Sequence, residues 1–123
     1  MVSGAIVVVD CGTGQLGSGP PSSARYEQDI APMDASSEGA LQLRPVTFAY
    51  KEDAQHVKQY GLIAEEVAAV YPELVVRAAT GEVQTVKYLE LIPMLLNELQ
   101  REHQEVATLR KELAELQALV GPR

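Results

Sequence analysis

The last third of the chain, residues 88–120, carries apolar side chains at the spacing of a coiled-coil helix. When the segment is written as heptads a to g, the a and d positions are apolar throughout, apart from Glu102 at a d position. A stripe this narrow has no partner on its own helix, so the pattern predicts an oligomer. The predicted oligomerisation residues are Ile92, Leu95, Leu99, Val106, Leu109, Leu113, Leu116 and Val120.

The positions that flank this stripe are charged or polar along most of the helix. The g positions include Glu98, Glu105 and Glu112, and the e positions include His103, Arg110 and Gln117. Of these, Glu105 and Arg110 form the best interhelical charge pair. Near the start of the helix, Pro93 lacks the backbone N–H that an interior position needs. We therefore expect either a kink at Pro93 or a helix that begins near Ile92.

Shorter periodic segments precede the long helix. Residues 45–50 alternate in the manner of a strand, and residues 56–63 predict the strand that returns beside it. Residues 64–71 change to helical spacing before Pro72 ends the helix. Two further segments around a Thr-Gly turn, residues 73–77 and 81–87, predict a second hairpin. The fold class is therefore α+β: a small head of short antiparallel strands and short helices, followed by a long C-terminal coiled-coil helix.

The N-terminal region is less regular. The β-branched run Ala5–Asp10 predicts a short buried strand with no evident hairpin mate, and the Gly, Pro and Ser content of residues 11–23 predicts a linker. Further on, Asp34 or Ser36 is placed to cap a short helix that ends before Pro45.

Composition narrows the classes of partner and cofactor. The 123 residues allow one small domain and the helix, and a net charge of -7 argues against nucleic acid as a partner. A single cysteine, Cys11, excludes an intrachain disulfide and a multi-cysteine metal site, and neither histidine has a companion at ligand spacing. We expect no cofactor and no metal. Since there is neither an apolar run of about 20 residues nor a signal-peptide pattern, we also expect no membrane insertion.

Four segments occur in an order typical of one family: SSARYEQDI from residue 22, LRPVTFAYK from 43, YGLIAEEVAAVYPELV from 60 and VKYLELIPMLLNELQ from 86. Together they resemble the intramolecular chaperone domain at the C-terminus of phage endosialidases, tailspikes, tail fibres and related bacterial surface proteins. The resemblance covers about 100 residues, from Gln15 to the end.

This resemblance implies a homotrimer that brings three chains into register, assists folding of an upstream fibre or β-helical shaft of the same polypeptide, and is then released by self-cleavage. It also implies a location on a phage tail or a bacterial surface. Residues 1–21 would be the end of that shaft and a linker, residues 22–87 the chaperone head and residues 88–123 the coiled-coil stalk. Leucine at d with β-branched residues at a favours dimers, so the expected number of three comes from the resemblance.

The family's cleavage junction reads serine, usually aspartate, any residue, arginine, a hydrophobic residue and lysine. The matching run here is Ser22, Ser23, Ala24, Arg25, Tyr26 and Glu27. Ser22 matches the nucleophile, and Ser22 and Ser23 form the junction, but Glu27 stands where the family has its lysine base. A serine hydroxyl attacks a peptide carbonyl only when a base removes its proton.

We therefore expect a chain that assembles without cleaving itself. The first alternative is an active single-turnover serine autoprotease with Ser22 and Glu27 as its catalytic residues. The second is a generic coiled-coil adaptor, for which the gene would encode no shaft upstream.

Overall fold

The computed structural model describes residues 7–10, 12–19 and 22–121. Cys11, the first two residues of the predicted strand at Ala5–Asp10, and Pro20 and Pro21 of the predicted linker lie outside the described residues. The chain divides into two compact units between Pro32 and Met33.

In the first unit, strand β1 (Val7–Val9) pairs antiparallel with strand β2 (Leu16–Ser18). The predicted strand is present over Val7–Val9, but the predictions that it is buried and has no mate were wrong, and part of the predicted linker forms β2. Asp10 organises the turn between them: its carboxylate accepts hydrogen bonds from the backbone N–H groups of Gly12 and Thr13, at 2.9 and 2.7 Å. These bonds, led by the one from the Thr13 backbone, lower the pKa of Asp10. Such local turn chemistry is compatible with the glycine-rich composition that suggested a linker.

The second unit confirms the α+β fold class. Strand β3 (Val46–Phe48) pairs antiparallel with β4 (Gln59–Gly61), and β5 (Val75–Arg77) pairs antiparallel with β6 (Val83–Val86). Helix α1 (Ala64–Val70) and a 3₁₀ turn (Pro72–Leu74) connect the two hairpins. Helix α2 (Tyr88–Val120) follows directly after β6.

A small hydrophobic core holds these elements together. It consists of six buried side chains contributed by α1, the following turn, the β5–β6 hairpin and the start of α2: Val67, Tyr71, Leu74, Val75, Val86 and Leu91. The Tyr71 hydroxyl donates a hydrogen bond to the carbonyl of Ser36, at 2.6 Å. A Cβ atom at Gly39 would lie 2.6 Å from that hydroxyl, so the segment can approach Tyr71 only because residue 39 is glycine.

That segment, Asp34–Gln42, is a 3₁₀ helix. The prediction of a short helix before Pro45 is confirmed, but neither predicted cap operates. The helix has Met33 at its N-cap position and no side-chain cap. Ser36 acts as a donor, because its hydroxyl bonds the Met33 carbonyl at 2.6 Å. Asp34 has a φ of 51°, whereas an N-cap residue normally has extended backbone.

Helix α2 begins at Tyr88 and includes Pro93, so of the two predicted alternatives the start near Ile92 was wrong. The first turn is fixed to the head from two sides, which offsets the hydrogen bond lost at Pro93. The Tyr88 hydroxyl accepts a hydrogen bond from the backbone N–H of Leu62 at 3.0 Å, and Leu91 is buried in the core. Tertiary packing therefore sets where this helix starts.

Candidate assembly surface and cleavage junction

The base of α2 is attached to the 3₁₀ helix Asp34–Gln42 by a buried polar cluster. Ser37 is completely buried, and its hydroxyl donates to the Glu98 carboxylate at 3.0 Å. The Asn97 side-chain amide donates to the Ser37 hydroxyl at 2.7 Å and to the carbonyl of Asp34 at 3.0 Å. The Ser37 hydroxyl thus serves as both donor and acceptor between two residues of α2.

Arg101 closes the edge of this cluster. Its guanidinium lies 3.2 Å from the Glu98 carboxylate and 2.6 Å from the Glu38 carboxylate. Within the part of the chain that the structure describes, no buried side-chain nitrogen or oxygen is left without a partner. Glu98 is a g residue in the heptad assignment, yet it is buried and bonded to Ser37 and Arg101 of its own chain.

Sequence reasoning missed this cluster. Ser37 and Glu98 are 61 positions apart, and each belongs to a residue type that is usually exposed. No local pattern connects them.

The predicted oligomerisation residues form a continuous exposed stripe on α2, which we call the seam. Their exposed fractions run from 42% for Val106 to 76% for Val120. Beyond Arg101, every residue from Glu102 to Val120 is exposed. The buried residues of α2, Leu91 and Glu98, both lie near its base, where the head packs against it. An apolar stripe on such a helix is typical of an interaction surface.

A second apolar surface lies next to the seam. It is an open groove between α2 and the β3–β4 hairpin, which we call the head groove. The head contributes Leu43, Pro45, Val46, Thr47 and Tyr60, and α2 contributes Leu91. The seam residues Ile92 and Leu95 also line the groove, so the two surfaces are continuous.

The candidate cleavage junction, Ser22 to Glu27, is exposed along its whole length and belongs to the first unit. A 3₁₀ turn, Ala24–Tyr26, stands between the two candidate catalytic residues. The Arg25 guanidinium lies over the Tyr26 ring, 4.8 Å from its centroid. Among the described residues, no side chain hydrogen-bonds the Ser22 hydroxyl or the Glu27 carboxylate. The side chains of Ser22 and Glu27 therefore form no hydrogen bond with each other among the described contacts of one chain.

On the head, Arg44 and Glu66 form a two-point ion pair between the segment before β3 and helix α1. The guanidinium donates to both carboxylate oxygens, at 3.1 and 2.6 Å. The hydrogen bond from Arg44 lowers the pKa of Glu66.

The described residues hold no group of three or more His, Cys, Asp or Glu side chains that could bind a metal ion. No helix in the described part of the chain is long and apolar enough to cross a membrane.

Comparison with known families gives one match. Residues 22–76 match the family model described as chaperone of endosialidase. The match supports an endosialidase-type chaperone domain in this part of the chain. The match begins at Ser22 and ends in β5, so it includes the candidate junction, the 3₁₀ helix Asp34–Gln42, the β3–β4 hairpin and α1. It is shorter than the resemblance described above, and α2 lies beyond its end. No curated protein matches the chain.

Proposed function

We propose that this endosialidase-type chaperone domain is a trimerisation device that brings three chains into register and assists folding of an upstream fibre or β-helical shaft. The observation that carries the proposal is the exposed seam of α2, which continues along residues 102–120, all of which are exposed. The family match to residues 22–76 supports the chaperone role.

The physical argument for such a device concerns folding rate. Intertwined β-shafts have many contacts between distant residues and between chains, so they nucleate slowly and expose aggregation-prone edges. A local helix-rich domain that assembles first reduces the entropy that the shaft must lose on association. Residues 88–120 supply the association surface, and the head supplies a rigid attachment for it.

Light scattering on the purified chain tests the assembly. We expect a mass of three times 13.3 kDa. The double variant Leu109→Asp and Leu113→Asp should be monomeric, because each buried leucine contributes about 1.5–3 kcal/mol. The matched control is Ala107→Asp with Ala114→Asp, which adds the same charges at two b positions outside the seam. A wild-type monomer, or a seam variant that keeps the full mass, would contradict the proposal.

We propose further that the domain does not cleave itself. Glu27 cannot become the positive partner that a protonated lysine provides, and it makes no hydrogen bond to Ser22 among the described contacts. Mass spectrometry of the refolded chain should show one intact species of 13.3 kDa. A fragment that begins at Ser22 or Ser23, and that disappears in Ser22→Ala, would instead establish the autoprotease. A fragment that persists in Ser22→Ala would come from a contaminating protease.

A further inference from the structure

Two exposed leucines at the base of α2 lie outside the seam. Leu89 and Leu96 are 51% and 53% exposed, and both occupy e positions. The later e positions, His103, Arg110 and Gln117, are polar. The change from apolar to polar occurs close to Arg101, which is the last residue of α2 that is not classed as exposed.

Coiled-coil geometry explains why the e positions are apolar beside the head and polar beyond it. In a parallel coiled coil, an e residue lies beside the g residue five positions earlier on the neighbouring helix. For Arg110 that residue is Glu105, which is exposed and oppositely charged. For Leu96 it is Leu91, which is buried under its own head and lines the head groove. The apolar e residue Leu96 therefore faces an apolar surface of the neighbouring chain, and the charged e residue Arg110 faces an opposite charge.

We propose that the head groove of one copy receives Leu96 of a neighbouring copy, with Leu89 of that neighbour packing beside it. The proposal rests on the parallel assembly proposed above. The occupant is a second copy of this chain, because the groove is continuous with the seam at Ile92 and Leu95 and each chain supplies one groove and one pair of leucines. Repeated around a symmetric ring, such a contact closes on itself.

This contact would fix the register of the chains. A seam of similar apolar residues repeats every seven positions, so the seam alone discriminates weakly against a slip of one heptad. After a slip of seven residues in one direction, Leu96 would face Glu98, which is bonded to Ser37 and Arg101; in the other direction it would face Gln84, which precedes α2. Only in the unslipped register does Leu96 meet the apolar groove.

Site-specific photo-crosslinking of the full chain tests the contact. A benzophenone amino acid replaces Leu96, unlabelled and ¹⁵N-labelled chains are mixed and refolded, and the irradiated sample is analysed by mass spectrometry. We expect crosslinks between labelled and unlabelled chains that join position 96 to residues 40–47 or 60–62. The matched control places the same group at Gln100, an exposed b position, and should give no crosslink to the groove. The reciprocal variant places it at Thr47 and should capture residues 89–96 of another chain.

Light scattering on the same samples distinguishes a failure of the groove contact from a failure of the assembly itself. An oligomer whose crosslinks from position 96 stay within one chain, or reach only the neighbouring α2, overturns the groove contact and leaves the assembly standing. A monomeric sample overturns both.

Discussion

At the scale of single residues, the attachment of α2 to the head depends on a serine with no exposed surface. Ser37 is held between Asn97 and Glu98, and the carboxylate of Glu98 is itself buried. A buried carboxylate is tolerated when donors surround it, and here the donors are Ser37 and Arg101. Removing one donor leaves the buried carboxylate charged with one hydrogen bond fewer, which destabilises the folded state.

We therefore predict that Ser37→Ala destabilises the chain by about 1–3 kcal/mol. In a double-mutant cycle with Glu98→Gln, the two changes should be non-additive by about 0.5–3 kcal/mol, because both act on the same bond. Urea unfolding of the monomeric Leu109→Asp, Leu113→Asp background measures this without a contribution from dissociation. Glu105→Gln, at an exposed g position, is the control and should change stability by less than about 0.5 kcal/mol. Additive costs would show that Ser37 and Glu98 act independently.

The Arg44–Glu66 pair gives a prediction for pH. Because the pKa of Glu66 is lowered in the folded state, the pair stabilises the fold above the ordinary glutamate pKa, and this contribution is lost as the pH falls through the lowered value. Arg44→Gln should therefore lower stability at pH 7 and have little effect in acid below that value. Urea unfolding at both pH values tests this. Arg77→Gln removes a hydrogen bond to the carbonyl of Gly81 and should show no such pH dependence. An Arg44→Gln effect of equal size in acid would contradict the prediction.

At the scale of elements, the sequence predicted those whose periodicity is visible within a few residues. The two hairpins of the second unit, α1 and the long helix were all predicted from spacing. The start of α2 was not, because Tyr88 is fixed by a hydrogen bond to Leu62, which is remote in sequence. Pairing of β1 with β2 was missed because Gly17 and its neighbours resemble a linker. The same distinction applies to the candidate site. The heptad pattern predicted the seam, whereas the role of Ser37 and the head groove depend on tertiary contacts and were not predicted.

Helix α2 therefore consists of two segments, one that packs against the head and one that is exposed along its whole length. Residues 91–101 include the buried Leu91 and Glu98, whereas residues 102–120 are all exposed in one chain. Most helical stability in proteins comes from packing of an apolar face, and the 102–120 segment has no such packing in one chain. In the monomeric Leu109→Asp, Leu113→Asp variant, we predict fast amide hydrogen exchange in 102–120 and retained protection in 91–101. In the wild type and the Ala107→Asp, Ala114→Asp control, both segments should be protected. Equal protection of both segments in the monomer would show that the helix end needs no partner.

At the scale of the whole molecule, apolar surface is distributed unevenly. The second unit buries six apolar side chains in its core, whereas α2 alone exposes twice that number of large ones. A core of this size gives limited stability, and the exposed seam represents stabilisation that becomes available only on association. Folding of the head and assembly of the stalk should therefore be thermodynamically linked.

This linkage predicts a melting temperature that depends on protein concentration. Anything that binds only the folded chain stabilises it by mass action, and tenfold dilution weakens each association step by about 1.4 kcal/mol. For a domain of this size, the melting temperature should fall by several degrees over a hundredfold dilution. Circular dichroism at 222 nm follows the transition. The Leu109→Asp, Leu113→Asp variant should melt at a lower temperature that does not change on dilution, whereas the Ala107→Asp, Ala114→Asp control should keep the wild-type dependence. A wild-type melting temperature that is constant over that range would mean that the head is stable without its partners, and the proposed coupling between head and stalk would be wrong.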